Sequence, residues 1–340
     1  MINTKPRIVI YGIGQYGQHV VRFATKKGWK IVAVYNRAGK KVGQDVGRLA
    51  GLDRDLGVIV QDCDTADYKN LVADVAIVAM TDRVALNMVA YKRLMNAGLN
   101  VICHGGEAIY PQANQPEIAK EIDRIAKENK VTFTGTGVWD MTRVWAAKLI
   151  TGSCTEIKSL FHLSITNTEN FSKHLMQGTG TGLTPEEFTT RIASVKDHEF
   201  TNMYLVFPQL VMSSLGYTVT RCTERIEPVV LDKPFYCKAL ERELPAGLCA
   251  GMRSVVETTT REGVNCLAHL EARVLFRDGE IEHTMWSVDG TPSPKIIIER
   301  DNGSFLTGNS LLNRIPDVIA APPGLHLVTE YGPMKHSALA

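Results

Sequence analysis

What the sequence lacks narrows it first. It has no C-x-x-C pair. Its seven cysteines stand at 63, 103, 154, 222, 237, 249 and 266, an odd and scattered set that fits reduced, mostly buried thiols rather than a disulfide frame or a zinc site. It has no apolar run of about 18 residues, so no membrane-spanning helix is expected. The start "MINTKPRIVIYGIGQYG" offers only a short apolar run, Ile8 to Gly12, too little for a secretory leader. It lacks a charge excess: 38 Lys+Arg against 36 Asp+Glu leave +2, no footprint for nucleic acid or an anionic membrane. It lacks repeats and low-complexity segments. What remains is 340 residues, 44% of them hydrophobic: a cytoplasmic globular chain with room for two domains of roughly 100–200 residues.

The first part alternates strand and helix. "RIVIYG" (7–12), "KIVAVYN" (30–36), "DVAIVAM" (74–80), "NVIC" and "KVTFTG" (130–135) read as strands, with helices at 15–28, near 84–97 and near 115–129. Continuous apolar strands between helices indicate a parallel sheet covered on both faces. After about residue 137 the rhythm changes. The stretches 155–167, 217–231, 251–262, 264–276 and 295–300 are long and partly alternating, as in a mixed or antiparallel sheet with one covered face. Helices interrupt near 141–151, 185–194 and 200–215. "REGVNC" reads as a hairpin. The expected fold is α/β: an N-terminal Rossmann domain with a doubly wound parallel sheet (1–137), a C-terminal α+β domain for substrate and dimerisation (138–307), and a segment 308–340 returning to the first. Leu311, Leu312, Ile315, Val318 and Ile319 give that segment a helix with an apolar face.

"IVIYGIGQYG" carries Gly12, Gly14 and Gly17 between a strand and a helix. In a dinucleotide fingerprint the first glycine makes the tight turn, the second admits the pyrophosphate and the third lets helix and strand pack. The helix N–H groups then face the phosphates, which makes Gly12, Ile13, Gly14, Gln15, Tyr16 and Gly17 the candidate contacts. The acid expected about 20 positions on, for the ribose 2′-OH, is missing. Asn36 stands there, followed by Arg37, with Lys40 and Lys41 close by. A carboxylate would repel a 2′-phosphate, whereas Arg37 can hold one bidentately. This favours NADP(H). The competing reading is a solvated basic loop, with Asn36 on the 2′-OH of NAD(H).

"NVICHGGEAIYP" (100–111) ends a strand in His104, two glycines and Glu107. Ligands of an open parallel sheet lie beyond the carboxyl ends of its strands, so Glu107 is placed to face the nicotinamide. Its other reading is a carboxylate favoured by the dipole of the helix near 115. Met80 and Thr81, at the neighbouring strand end, and the backbones of Cys103 and His104 are candidates for the nicotinamide ribose. Cys103, His104 and Glu107 have no second cluster at ligand spacing, so no metal is expected.

The glycine turn, "GGEAIYP", "GLTPEEF" (182–188) and "NRIPDVIAAPPGL" (313–325) together resemble the 2,4-diaminopentanoate dehydrogenase family. The related native amine dehydrogenases share this layout, and the N-terminal domain is similar to that of dihydrodipicolinate reductase. The likeness runs from about residue 7 to 325. It implies NAD(P)-dependent oxidative deamination of an amine, or reductive amination of a ketone or aldehyde with ammonia, by a homodimer. It places the family's catalytic glutamate on Glu107. Where diaminopentanoate dehydrogenases carry an Asn-Pro-Gly turn after "TGV", this chain has Trp139, Asp140 and Met141, which looks more like the native amine dehydrogenases and favours a less polar amine.

For the substrate, Trp139 and Trp145 are candidate pocket walls, against a reading as ordinary core. "NTENFSKHLMQGTGTGLTPEEF" (167–188) contributes Asn167, His174 and Gly180, with Gly178 to Gly182 as a mobile loop before a Thr184/Glu187 capping box. A glycine loop at a helix start suits an anionic group; a plain connection or lid is the other reading. Two rival functions remain. One is a cyclic imine reductase resembling dihydrodipicolinate reductase, for which the chain offers only scattered His162, Lys173 and His174. The other is a non-catalytic nucleotide sensor.

Overall fold

The computed structural model describes residues 5–171, 173–195, 202–301 and 303–336. The chain forms two compact units: residues 1–141 together with 302–340, and residues 142–301.

The first unit holds β1 (Arg7–Tyr11), β2 (Lys30–Asn36), β3 (Val60–Asp62), β4 (Val75–Val78), β5 (Asn100–His104) and β6 (Thr132–Thr136). They lie in the order β3-β2-β1-β4-β5-β6, and the two-residue strand Gly324–Leu325 extends the sheet beyond β6. Every pairing is parallel. This is the doubly wound Rossmann order, whose switch point lies between β1 and β4. Successive strand residues point to opposite faces. Val9, Ala76, Val101 and Phe133 therefore pack with Tyr91, Leu94, Ile122 and Ile125 from the Val84–Asn96 and Pro116–Glu128 helices. Ile8, Ile10, Ile77 and Ile102 pack on the other face with Val20, Val21 and Ala24 of the Gln15–Lys26 helix.

That second face also receives the C-terminal helix, Gly303–Ala320. Leu311, Leu312, Ile315 and Val318 are fully buried there. The helix begins before residue 307, so the edge of the first unit falls at 302. The other edge falls at 141 rather than 137, because Asp140 belongs to the same tie. Arg314 donates to both Asp140 oxygens, through Nε and Nη2 at 2.9 Å each, and Thr136 Oγ1 adds a bond of 2.7 Å. Arg314 Nη1 continues to Asp317 at 2.7 Å and to the Gly332 carbonyl. Neither Asp140 nor Arg314 is exposed.

The second unit is built on β7 (Glu156–Asn167), β8 (Val219–Val230), β9 (Phe235–Cys237), β10 (Arg242–Leu244), β11 (Cys249–Thr260), β12 (Asn265–Arg273), β13 (His283–Thr291) and β14 (Lys295–Glu299). Six strands form one sheet, β14-β13-β7-β12-β11-β8, and β9 and β10 pair separately. Only β7 and β12 run parallel in the large sheet, so it is mixed. The hairpin read from "REGVNC" joins β11 to β12, with Thr259 opposite Asn265. A π-helical turn, Asp140–Trp145, leads into the Ala146–Thr151 helix. Strand β13 was not expected.

Removing one partner of a buried ion pair strands the other charge and costs about 3–5 kcal/mol. Arg314→Met should therefore lower the melting temperature by many degrees. Thermal and urea unfolding, followed beside the wild type, measure this. A change within error would show that the C-terminal helix is held by its apolar face alone.

Candidate cofactor and active site

The three glycines of the turn are required for different reasons. Gly12 has φ +100°, and a Cβ on it would lie 2.5 Å from the Ala79 carbonyl oxygen across the switch point. A Cβ on Gly17 would lie 2.1 Å from the Gly12 carbonyl oxygen. These two are fixed by the protein's own backbone. Gly14 has no atom within 4 Å of its Cβ position and an ordinary extended backbone. Nothing in the polypeptide demands glycine there; open space lies above it. The Gln15–Lys26 helix that starts here has no side-chain cap and no acid in its first turn. Bare backbone, open space and an uncapped helix start suit a pyrophosphate.

Ile13 is held at both backbone atoms. Its N–H donates to Asn36 Oδ1 at 3.3 Å, and its carbonyl accepts from Lys41 Nζ at 2.7 Å. Asn36 Nδ2 donates to the Arg37 carbonyl at 3.0 Å. Arg37 is exposed, and no ion pair among the described residues holds its guanidinium. Gln15 is exposed, and the ring of Tyr16 packs against that of His104, with centres 4.7 Å apart and planes tilted by 51°. That contact joins the glycine turn to the end of β5.

Beyond β4, Met80 is 40% exposed. Thr81 Oγ1 accepts the Arg83 N–H at 3.2 Å and donates to Asn87 Oδ1 at 3.3 Å. Cys103 is fully buried with its thiol 2.9 Å from the Tyr91 hydroxyl, and burial pushes its pKa up to about 12. It is an unreactive packing thiol. Burial lowers the pKa of His104, leaving a neutral ring whose Nε2 has no hydrogen-bond partner among the described residues.

Glu107 opens a short 3-10 turn, Glu107–Ile109, and is 1% exposed. Backbone contacts seat that turn. A Cβ on Gly135 of β6 would lie 1.9 Å from the Ala108 carbonyl oxygen. Glu107 N–H donates to the Asp82 carbonyl at 3.2 Å, and Gly106 N–H donates to Asp82 Oδ1 at 2.7 Å. The carboxylate accepts from Arg83 Nη1 at 3.1 Å and from the Val84 N–H at 3.0 Å. Val84 is the first residue of the Val84–Asn96 helix. The dipole reading of Glu107 therefore needs correction: its carboxylate caps this helix, 23 residues upstream in sequence, and not the one near 115.

Among the other candidates, Trp139 is half-buried in the first unit, directly before the Asp140–Arg314 tie. Trp145, Asn167 and Gly180 belong to the second unit. Trp145 lies under the Lys148 ammonium at 5.5 Å. Asn167 closes β7; its N–H donates to Glu282 at 3.2 Å and its side chain accepts from the Glu169 N–H at 3.1 Å. His174 falls in the Lys173–Gly178 helix, and its side chain lies outside the described residues. Gly180 is buried at φ +77°, where a Cβ would lie 2.5 Å from the Phe188 ring. Packing accounts for this glycine. The 178–182 segment is tied down: Gly182 N–H and the Cys249 carbonyl meet at 2.8 Å, and Thr181 Oγ1 donates to the Ala250 carbonyl at 3.2 Å. The expected capping box is complete, Thr184 and Glu187 each accepting the other's N–H. With Glu187 at that helix start, an anion is not invited there. His162, the histidine of the rival reductase reading, is fully buried against Phe207 and Trp286 at 4.9 and 4.5 Å.

Sequence reading missed Arg83. The signal was present: "TDR" places three polar residues immediately after a fully apolar strand, at the edge where ligands lie.

Parallel sheet, switch-point glycines and uncapped helix define a Rossmann dehydrogenase of the kind that uses a nicotinamide dinucleotide. The comparisons specify the group. Residues 146–338 match the family model described as the 2,4-diaminopentanoate dehydrogenase C-terminal domain. The chain belongs to the 2,4-diaminopentanoate dehydrogenase family, oxidoreductases of the amine dehydrogenase type. It is 27% identical to 2,4-diaminopentanoate dehydrogenase of Acetoanaerobium sticklandii, over 96% of this chain and 93% of that one. It is similar to the solved amine dehydrogenase from Mycobacterium smegmatis, with 27% identity, 97% of each chain covered and a TM-score of 0.85. A scyllo-inositol dehydrogenase from Lactobacillus casei, solved with bound NAD(H), shares the fold at 12% identity and a TM-score of 0.58, over 93% of this chain and 88% of that one.

The steric difference among the glycines is testable. Gly14→Ala should leave the melting temperature unchanged and weaken dinucleotide binding at least about tenfold, the worth of one charge-assisted hydrogen bond. Gly17→Ala should destabilise the fold by about 1–3 kcal/mol through overpacking. Melting curves and NADPH fluorescence titration distinguish the two; equal behaviour of both variants would refute the assignment of Gly14 to the ligand.

Proposed function

We propose that this protein interconverts a ketone or aldehyde plus ammonia with the corresponding amine, using NADP(H) in preference to NAD(H), with Glu107 as its acid–base group. The observation that carries the proposal is a buried carboxylate at the carboxyl edge of the sheet, three residues past His104, whose ring packs against Tyr16 of the glycine turn.

The nicotinamide, when bound, gives hydride to the substrate carbon or takes it away. The chain's own part is proton handling and charge. In amination Glu107 takes a proton from ammonium, so that ammonia can attack. It then returns a proton to the hydroxyl that leaves as water. Its carboxylate finally balances the iminium cation. The Arg83 and Val84 bonds hold its two oxygens in place, and a carboxylate has further lone pairs with which to meet a substrate. The neutral ring of His104, at the end of β5, adds no competing charge. The backbones of Cys103 and His104, with Met80 and Thr81, are assigned to the nicotinamide ribose. Trp139, Trp145, Asn167 and His174 are retained as substrate residues; Gly180 is not, since Phe188 explains it.

Asp140 is committed to Arg314, so of the residues replacing the diaminopentanoate turn only Trp139 and Met141 are left to shape specificity. Both are apolar in character, which supports a less polar amine than a diamino acid. The chain is taken to work as a homodimer in the cytoplasm, with ammonia and a small carbonyl or amine as its partners. Among the described residues no helix is long and apolar enough to cross a membrane. The cyclic imine reading loses support because His162 is enclosed in the second unit.

A panel of ketones and aldehydes with NADPH should show oxidation that depends on ammonium. Turnover of a preformed cyclic imine without ammonium, or binding without turnover, would refute the proposal. Glu107→Gln should lower both directions by about 100-fold or more, the usual scale for an acid–base group. Since the carboxylate also caps a helix, stability will fall as well. Arg83→Met is the control: it breaks the same ion pair and keeps the carboxylate. If Glu107 were only structural, both variants would lose stability alike while their folded fractions kept the wild-type rate.

A further inference from the structure

Lys41 is used by none of the roles above, and its position calls for a reason. Its ammonium is bonded to the Ile13 carbonyl at 2.7 Å. Ile13 directly precedes Gly14, the N-cap of the Gln15–Lys26 helix. A helix N-terminus carries partial positive charge, which disfavours a cation beside it. Among the described residues no carboxylate pairs with Lys41. Two positive groups are thus set together with nothing to balance them, which favours an anion arriving at this spot.

The neighbours say which anion. The N–H of the same Ile13 is on Asn36 Oδ1 at 3.3 Å, and Asn36 stands where the ribose-binding acid of a dinucleotide fold is expected. Lys41 and Asn36 therefore hold opposite backbone atoms of one residue. Arg37, exposed and free of ion pairs among the described residues, follows Asn36 directly. An ammonium has three donors, and the Ile13 carbonyl takes one.

We infer that Lys41 is a second cation of the adenosine end, acting with Arg37 to select a 2′-phosphate over a 2′-hydroxyl. The inference rests on the NADP(H) reading above and deepens it. Arg37 alone would be a flexible surface arginine. Lys41 is fixed to the glycine turn, so its charge is in place before the ligand arrives, and less side-chain entropy is lost on binding.

The test is a binding measurement, independent of turnover. Dissociation constants for NADPH and NADH are taken by fluorescence titration, and for 2′,5′-ADP and 5′-AMP by competition. The proteins are wild type, Arg37→Ala, Lys41→Met, Lys41→Arg and the double variant Arg37→Ala/Lys41→Met, each checked by its melting curve. Lys41→Met should weaken NADPH and 2′,5′-ADP by about tenfold or more, the scale of a charged hydrogen bond, and NADH and 5′-AMP by far less. Lys41→Arg should retain the preference, and the double variant should have none. Equal weakening of both members of each pair would assign Lys41 to the turn's shape alone and overturn the inference. So would an unchanged preference in Lys41→Met alongside a reduced one in Arg37→Ala. A wild type that prefers NADH would instead overturn the NADP(H) reading itself.

Discussion

Glu107 is placed by backbone packing, and the rest of the candidate site follows from that placement. The turn that carries it lies against β6 so closely that Gly135 has no room for a side chain. On its other side, Asp82 grips two successive N–H groups of the turn, those of Gly106 and Glu107. The ends of β4, β5 and β6 are locked into one edge, and the carboxylate has few ways to point. Its oxygens meet Arg83 and the first N–H of the Val84–Asn96 helix. A buried carboxylate needs polar partners to offset the loss of water, and Arg83 and the Val84 N–H supply them here.

The same bonds set a tension between structure and chemistry. A helix cap and an ion pair stabilise the carboxylate, and an acid–base group must also give and take a proton. The two demands can be met together if the fixed donors supply part of the charge balance and the substrate cation supplies the rest. Ammonium and iminium are cationic when they need the carboxylate; the carbinolamine is neutral when it needs an acid. In the proposed reaction, a group whose surroundings contain one fixed guanidinium and one helix N–H would see its net field change with each stage. Tyr91 and Cys103, close behind, are kept protonated by burial, and His104 is kept neutral.

How much of this was legible in the sequence depended on distance along the chain. Strands β1, β2, β4, β5 and β6 were readable because they are largely buried and mostly apolar; the three-residue β3, Val60–Asp62, carries no such run and was not. Strand β13 was not, because His283, Ser287 and Asp289 alternate with its buried residues and Gly290 interrupts it; its pairing with β7 on one side and β14 on the other makes it a strand. The glycine turn was readable because its three glycines are local. The partners of Glu107 were not, since Arg83 and Val84 lie more than 20 residues away and become neighbours only through the parallel order of β4 and β5. The helix near 115 was nearer in sequence and was the wrong one. Gly180 failed for the same reason in reverse: its glycine looked like mobility, and its cause is a phenylalanine eight residues on.

Asp140 shows how this limits the reading of specificity. Within Trp139, Asp140 and Met141 the aspartate is the conspicuous residue in sequence, since a carboxylate near a substrate would attract an amine. The structure gives that charge to Arg314, with Thr136 taking a further bond. Burial alone would raise the Asp140 pKa, and the guanidinium opposes it. The charge is spent on joining the C-terminal helix to the end of β6. Under the proposed reading, Trp139 and Met141 would then be the residues of this segment left to set specificity, by shape and apolar surface. An aspartate that looks in the sequence like a charge offered to a ligand is thus used inside the fold.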